Sequence, residues 1–278
     1  MNTGKKKYLL WTHAGLGDMV YLYCIAKWFL EKGLDVAVMT HTPDLFAPLG
    51  IDTVPFHDDP DPEKFYWIKG DYFKRKDSIG TNQYEDLLFT MGIKEEIPLR
   101  VEYPRELVRY KINVSKPVCI VKHPDYKISG DLVDLVPDAK LFQQVIDKLQ
   151  GKYYFIQVGK YPDDCNIFSG IDLNLIGKTS FIDLFYLIEN SSMVLTRTGH
   201  LLPMAEALGR KVICVLSKKI ARSKSWIINT ITPEKVRCGN TSLVLWEDDQ
   251  YFMEKVLGFF RQRDNIPKAK QAKDRRHR

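Results

Sequence analysis

Apolar positions along the chain alternate between two spacings. Residues 7–13 form a short apolar run, Ala14-Gly15-Leu16-Gly17 breaks it, and 18–32 continues at helical spacing until Gly33. This reads as strand, glycine turn and helix. Residues 35–40 (DVAVMT) predict a second buried strand and 51–56 a third. An acidic, proline-containing loop follows over 58–64, then a short helix over 82–91 ended by Gly92.

Between residues 98 and 117 the pattern turns irregular and proline-punctuated, which marks a link between two halves. The second half repeats the grammar of the first. Strands are predicted at 118–122, 153–158, 173–175, 193–196, 211–216 and 243–246, with helices at 139–149, 181–189, 202–208 and 249–260. Strands alternating with helices require parallel sheets covered on both faces, so the fold class is α/β. The expected division is 1–115, 116–260 and a tail, 261–278, whose apolar content falls from Ile266 onward and which is expected to be disordered.

Composition narrows the class without changing it. In 278 residues, 45% apolar and 27% charged types fit a globular protein with material for a sizeable core, and exclude collagen, coiled coil and global disorder. No window approaches the roughly 18 uninterrupted apolar residues of a membrane span, and the patch at 8–11 is too short for a secretory segment. A cytoplasmic protein is expected. The five cysteines lie far apart without C-x-x-C pairing or a histidine at ligand spacing, so buried free thiols are expected rather than disulfides or zinc. The net charge of +6 is concentrated in the tail: eight Lys/Arg between Arg261 and Arg278 stand against Asp264 and Asp274, and the first 260 residues sum to zero.

Ligands of open parallel sheets bind beyond the carboxyl ends of strands. The segments there are 13–18, 122–130, 159–164, 196–203 and 217–224. The turn around Gly15, Gly17 and Asp18, with His13 before it, lets backbone approach a ligand at a helix start. It is not G-x-G-x-x-G, since Val20 stands at the third glycine position, so no dinucleotide cofactor is expected. Asp18 fits two descriptions, a helix cap or an acceptor-side carboxylate.

Two segments, HAGLGDMVYLYCIAKWFLEKG and NLIGKTSFIDLFYLIENSSMVLTRTGHLLPMAEALGRKVICVL, resemble glycosyltransferase family 9, the ADP-heptose:lipopolysaccharide heptosyltransferase family. The resemblance implies a GT-B architecture, two Rossmann-like parallel-sheet domains facing across a cleft, with nucleotide-sugar on the C-terminal domain and acceptor on the N-terminal one. It also implies Asp18 as general base on the acceptor hydroxyl, and Thr198 and Gly199 as holders of the donor phosphates. Three departures stand out: Arg197 replaces the Asp of the family's D-T-G, His200 follows the glycine directly, and Asp134, Leu135 and Val136 precede Pro137 where the family has Lys-x-Trp.

Other groups are placed to serve the donor. Lys218, Lys219 and Arg222 follow one predicted strand and Lys122, His123 and Lys127 another, where cations neutralise a leaving diphosphate without a metal. Glu206 is spaced after the Thr-Gly turn like the acidic residue that GT-B enzymes often place on the donor ribose. The expected activity is that of an inverting glycosyltransferase, hexosyl, heptosyl or pentosyl, using a UDP-, ADP- or GDP-sugar as substrate. Three partner classes follow: a bacterial surface glycan or lipopolysaccharide core, reached near anionic membrane through the tail; a hydroxymethylated base in DNA, as for a phage enzyme in a host cytoplasm; or, without catalysis, a nucleotide or nucleic acid bound by a GT-B relic. Basic loop residues and a lone histidine also have purely structural readings, as solvated or packed side chains.

Overall fold

The structure is a computed structural model describing residues 6–13, 15–71, 83–123, 139–160, 167–197, 199–217, 241–246 and 248–264. In chain order the elements are β1 (Lys7–Trp11), α1 (Leu16–Glu31), β2 (Val36–Thr40), α2 (Pro43–Phe46), β3 (Asp52–Pro55), β4 (Phe65–Lys69), α3 (Gln83–Thr90), β5 (Val118–Lys122), α4 (Ala139–Leu149), β6 (Tyr154–Val158), β7 (Leu173–Asn174), α5 (Phe181–Glu189), β8 (Met193–Thr196), α6 (Leu201–Ala207), β9 (Val212–Ser217), β10 (Thr241–Trp246) and α7 (Asp249–Asp264). They build two sheets, ordered β3-β2-β1-β4 and β10-β9-β8-β5-β6-β7. Every pairing in both is parallel.

Alternation along each central strand sends side chains to two faces. On the first sheet Leu10, Val36 and Val38 meet α1 through Leu22, Ile25 and Phe29, while Leu9, Ala37 and Met39 form a small separate cluster on the opposite face. The second sheet is covered on both sides. Ile120, Val194 and Val212 belong to the large core with α5 and α6, whereas Cys119, Val121 and Leu195 pack with α4 and α7 through Phe142, Val145, Phe252 and Phe260. That large core is continuous from α1 to α5 and α6, so the two sheets share buried apolar contacts.

The proline-punctuated link is a strap with partners on both sides. Toward α1, Cys24 Sγ donates to the Arg100 carbonyl (3.2 Å), Trp28 Nε1 donates to Glu95 (3.1 Å), and Lys27 pairs with Glu102 (3.0 Å). Toward α5, Tyr103 donates to Glu189, Arg105 pairs with the same carboxylate (2.7 Å), and Arg109 grips Asp183 through its backbone N–H (2.8 Å), Nε (3.0 Å) and Nη2 (2.6 Å). Asp183 is fully buried and closes a capping box with Ser180 at the start of α5. Burial works against its charge, but hydrogen bonds from Arg109 and Ser180 prevail and hold the carboxyl below its ordinary pKa.

Three departures from the sequence reading stand out. Helix α1 starts at Leu16, so Gly17 and Asp18 lie inside its first turn. Strand β4 was not predicted; it is an edge strand of aromatic residues, Tyr66 and Trp67 exposed, without the buried alternation that identifies a central strand. Helix α7 continues to Asp264, past the expected end at Phe260. The expected disorder of the tail concerns residues that, from 265 onward, lie outside those described.

Candidate active site at the facing sheet edges

The N-cap of α1 is Gly15, in extended backbone (φ −74°, ψ 138°) and without a side-chain cap. Asp18 is the third residue of the helix, in its first turn. Its backbone N–H donates to the Gly15 carbonyl (3.0 Å), and its carboxylate folds back over Gly15 so closely that a Cβ there would lie 2.8 Å from Oδ2. Gly17 is confined from the other side: a Cβ would lie 3.1 Å from Pro203 Cγ and 3.5 Å from His200 Cα. The missing side chain lets the first turn of α1 rest against the first turn of α6. Gly-Leu-Gly-Asp thus places the Asp18 carboxylate at the junction with the second half.

On that second half, Gly199 adopts φ 148°, a conformation that side chains strain to reach. A Cβ at this position would approach Lys122 Nζ to 3.6 Å. Lys122 ends β5 and is buried, and its ammonium acts on His200. Burial first, and then Lys122, lower the His200 pKa to about 3, so this imidazole is neutral at physiological pH.

Arg197, just beyond β8, and Glu206, in α6, are both buried. Their charges act on the Cys214 thiol of β9, which burial pushes up to about 12 with a further rise from Glu206 and an opposing effect of Arg197. Tyr21, one turn after Asp18 in α1, is influenced by carboxylates of both halves. Its phenol is raised well above the ordinary value by burial and then by the carboxylates of Glu206 and Asp18. Its ring stacks on Tyr84 with centroids 5.3 Å apart.

Asp18, Gly17, Gly199, His200, Lys122, Arg197 and Glu206 are therefore linked through direct approach or mutual charge effects. His123 is buried with its ring stacked on Phe168 at 4.6 Å, the setting of a packed aromatic. His13 lies on the open side of the α1 turn, its Nε2 3.0 Å from Asp71 Oδ1. Thr198, Lys127, Lys218, Lys219 and Arg222 lie outside the described residues. Sequence reasoning missed Tyr21 and Asp71. The i+3 spacing of Tyr21 from Asp18 was a usable signal, whereas Asp71 depends on the unpredicted β4. The three described cysteines, Cys24, Cys119 and Cys214, are buried thiols. Among the described residues no cluster of three or more His, Cys, Asp or Glu is arranged to hold a metal ion. No described helix is long and apolar enough to cross a membrane.

No protein-family model and no curated protein matches the sequence. Solved structures do match in shape. A glycosyltransferase family 9 protein from Veillonella parvula superposes with a TM-score of 0.57 at 11% identity, covering 91% of this chain and 89% of that one. The E. coli heptosyltransferase WaaC with ADP gives 0.57 at 11% identity, covering 92% and 99%. The iron-containing dodecameric glycosyltransferase TibC from enterotoxigenic E. coli gives 0.54 at 15% identity, covering 76% of this chain; the chain spans 58% of the length of TibC. Together with the two parallel sheets, these likenesses identify the architecture as GT-B.

Proposed function

We propose that the protein is an inverting glycosyltransferase of the family 9 type, with acceptor on residues 1–115 and nucleotide-sugar on residues 116–260. The observation that carries this reading is the seating of Gly17 on His200 and Pro203, which brings a carboxylate from one sheet edge against the polar groups of the other. A fold alone does not specify an activity; a base next to an anion-binding edge supports one. WaaC was solved with ADP and TibC with ADP-D-β-D-heptose, and by analogy the donor here is a nucleoside diphosphate sugar. The acceptor is a hydroxyl of a bacterial surface glycan or lipopolysaccharide core.

In this mechanism Asp18 takes the proton of the acceptor hydroxyl. The freed oxygen attacks the anomeric carbon on the face opposite the diphosphate, forming the new glycosidic bond. The bond between anomeric carbon and diphosphate oxygen breaks, and its electron pair leaves with the nucleoside diphosphate. Lys122 and Arg197 stabilise that developing charge in a poorly screened environment, where fixed cations are most effective. Glu206 serves the donor ribose. Neutral His200 is suited to a hydrogen bond with the donor and adds no charge.

The test is a thermal-shift panel of nucleosides, nucleoside diphosphates and nucleotide-sugars, followed by donor turnover with the ligand of largest shift. A specific donor raises Tm by mass action. If none of the diphosphates or nucleotide-sugars shifts Tm, the reading is overturned.

A further inference from the structure

Beyond the turn that carries Asp18, the carboxyl edge of the first sheet continues across β2 and β3, and rings gather there. His41 directly follows β2, and Phe56 and His57 directly follow β3, whose Pro55 is paired with Thr40 of β2. The His41 ring stacks on Phe56 with centroids 4.4 Å apart and planes at 27°, and it lies 5.8 Å from the His57 ring at 49°. Both imidazoles are exposed. Phe56 is half-buried and packs against the cores on both faces of the sheet.

Short turns hold the three rings. The Asp58 N–H donates to the Pro55 carbonyl (3.1 Å), so Phe56 and His57 form the two corners of a turn. His41 is the middle residue of Thr40-His41-Thr42, where the Thr42 N–H donates to Thr40 Oγ1 (2.9 Å). That hydroxyl, on a residue 3% exposed, donates to Met19 Sδ (3.2 Å), and Met19 follows Asp18 in α1. The ring group is thereby tied to the residue next to the seam carboxylate.

Exposed rings contribute little to folding, since most of the gain from an aromatic side chain comes with burial. What they offer is a π face, negative at its centre, on which the slightly positive C–H face of a pyranose stacks. Charge narrows the ligand further. From Gly33 to Glu63 the chain has no Lys or Arg, and Asp44, Asp58 and Asp59 stand exposed close to the rings in sequence. Carboxylates accept from hydroxyls and repel phosphate or another carboxylate. The carboxyl ends of β1 and β3 are two strand spacings apart, about 10 Å, more than one pyranose ring spans.

We propose that His41, Phe56 and His57 form a stacking subsite for an uncharged sugar residue of the acceptor, beyond the residue whose hydroxyl Asp18 deprotonates, so that the acceptor is an oligosaccharide. This rests on the glycosyltransferase reading above. A DNA duplex brings a row of phosphates against these carboxylates, and a monosaccharide leaves the rings uncovered.

The experiment uses the full chain with the donor of largest thermal shift. Acceptor probes are methyl hexosides and heptosides, the corresponding neutral di- and trisaccharides, the same trisaccharides oxidised to a terminal uronate, and a 5-hydroxymethylcytosine duplex. Lengthening a neutral acceptor from one residue to three should lower its KM about tenfold, and the uronate should lose that gain. His41→Ala and His57→Ala should each cancel most of the gain, while monosaccharide KM and donor Kd stay within about twofold. His41→Phe, which keeps a ring without imidazole nitrogens, should retain it and so separate stacking from a hydrogen bond. Equal KM for one and three residues, an unchanged gain in both alanine variants, or a preference for the uronate or the duplex overturns the inference, and donor binding then leaves the glycosyltransferase reading standing. Absence of donor binding in the wild type overturns both.

Discussion

At the edge of the first sheet His13 leaves half its side chain in solvent and Leu16 is 37% exposed, whereas at the edge of the second Lys122, His123, Arg197 and Glu206 are 6%, 2%, 3% and 7% exposed. Both edges arise from the same strand, turn and helix grammar, yet they create different electrostatic media. Exposed groups are screened by water and salt, while buried ones interact at lower effective dielectric. An open edge accommodates ligands of varied size, held through hydrogen bonds that compete with water. An enclosed edge suits a small, highly charged ligand whose hydration the protein replaces. The shared α1–α6 seam, where Gly17 meets Pro203, joins the two edges.

The largest effect expected is at the junction itself. Asp18→Asn should lower transfer by about 10²–10⁴ while donor Kd, measured by calorimetry, changes less than about twofold, because the amide keeps its volume but takes no proton. Retention of most turnover would mean that Asp18 serves only the first turn of α1.

Next comes the strap, which belongs to neither edge and holds both. Asp183→Asn leaves Arg109 without its buried carboxylate and weakens the α5 cap, at a cost of about 3 kcal/mol in urea unfolding. The depressed pKa of Asp183 sets the sign with pH. Its contribution is complete above the ordinary aspartate pKa of about 3.9 and is lost as pH falls through the lower native value, so wild type and variant should converge in strong acid. A constant gap down to pH 2 would sink this assignment.

Smaller effects separate the enclosed edge from the open one. Lys122→Ala and Arg197→Ala should each weaken nucleoside diphosphate binding about tenfold and nucleoside binding hardly at all, since the lost contact is with phosphate. Glu206→Ala should instead raise donor KM through the nucleoside. Equal losses for nucleoside and diphosphate would remove the cations from the phosphate role. The smallest expected response is to pH: His200, neutral above about 3, should leave donor Kd flat between pH 5.5 and 8. A titration of donor affinity in that window that disappears in His200→Gln would contradict the neutral state.

The sequence was most legible where burial is continuous. Residues 118–122, 139–149, 181–189 and 193–196 were predicted with the bounds observed for β5, α4, α5 and β8, because their apolar periods are strong and glycine or polar residues close them. It was least legible at β4, whose exposed aromatics lack a buried face of their own; pairing with β1 makes that segment a strand. Asp71 stayed hidden for the same reason, since a residue two positions past an unseen strand has no visible address. The Gly15-Leu16-Gly17-Asp18 motif drew attention from sequence alone, but Gly15 and Gly17 turned out to have separate reasons for being glycine, one against the Asp18 carboxylate and one against α6.

Local chemistry determined most of the strands and helices, the parallel α/β class, the concentration of charge in the tail and the turns that follow the strands. These follow from side-chain period, backbone freedom and charge, all carried by neighbouring residues. Which turns meet is different in kind. The seating of α1 on α6, the burial of Lys122 and Arg197 beside a neutral His200, and the Asp71–His13 pair join residues tens to nearly two hundred positions apart. Many weak contacts select one register and one packing among the arrangements that the same elements allow, so only the assembled molecule fixes them.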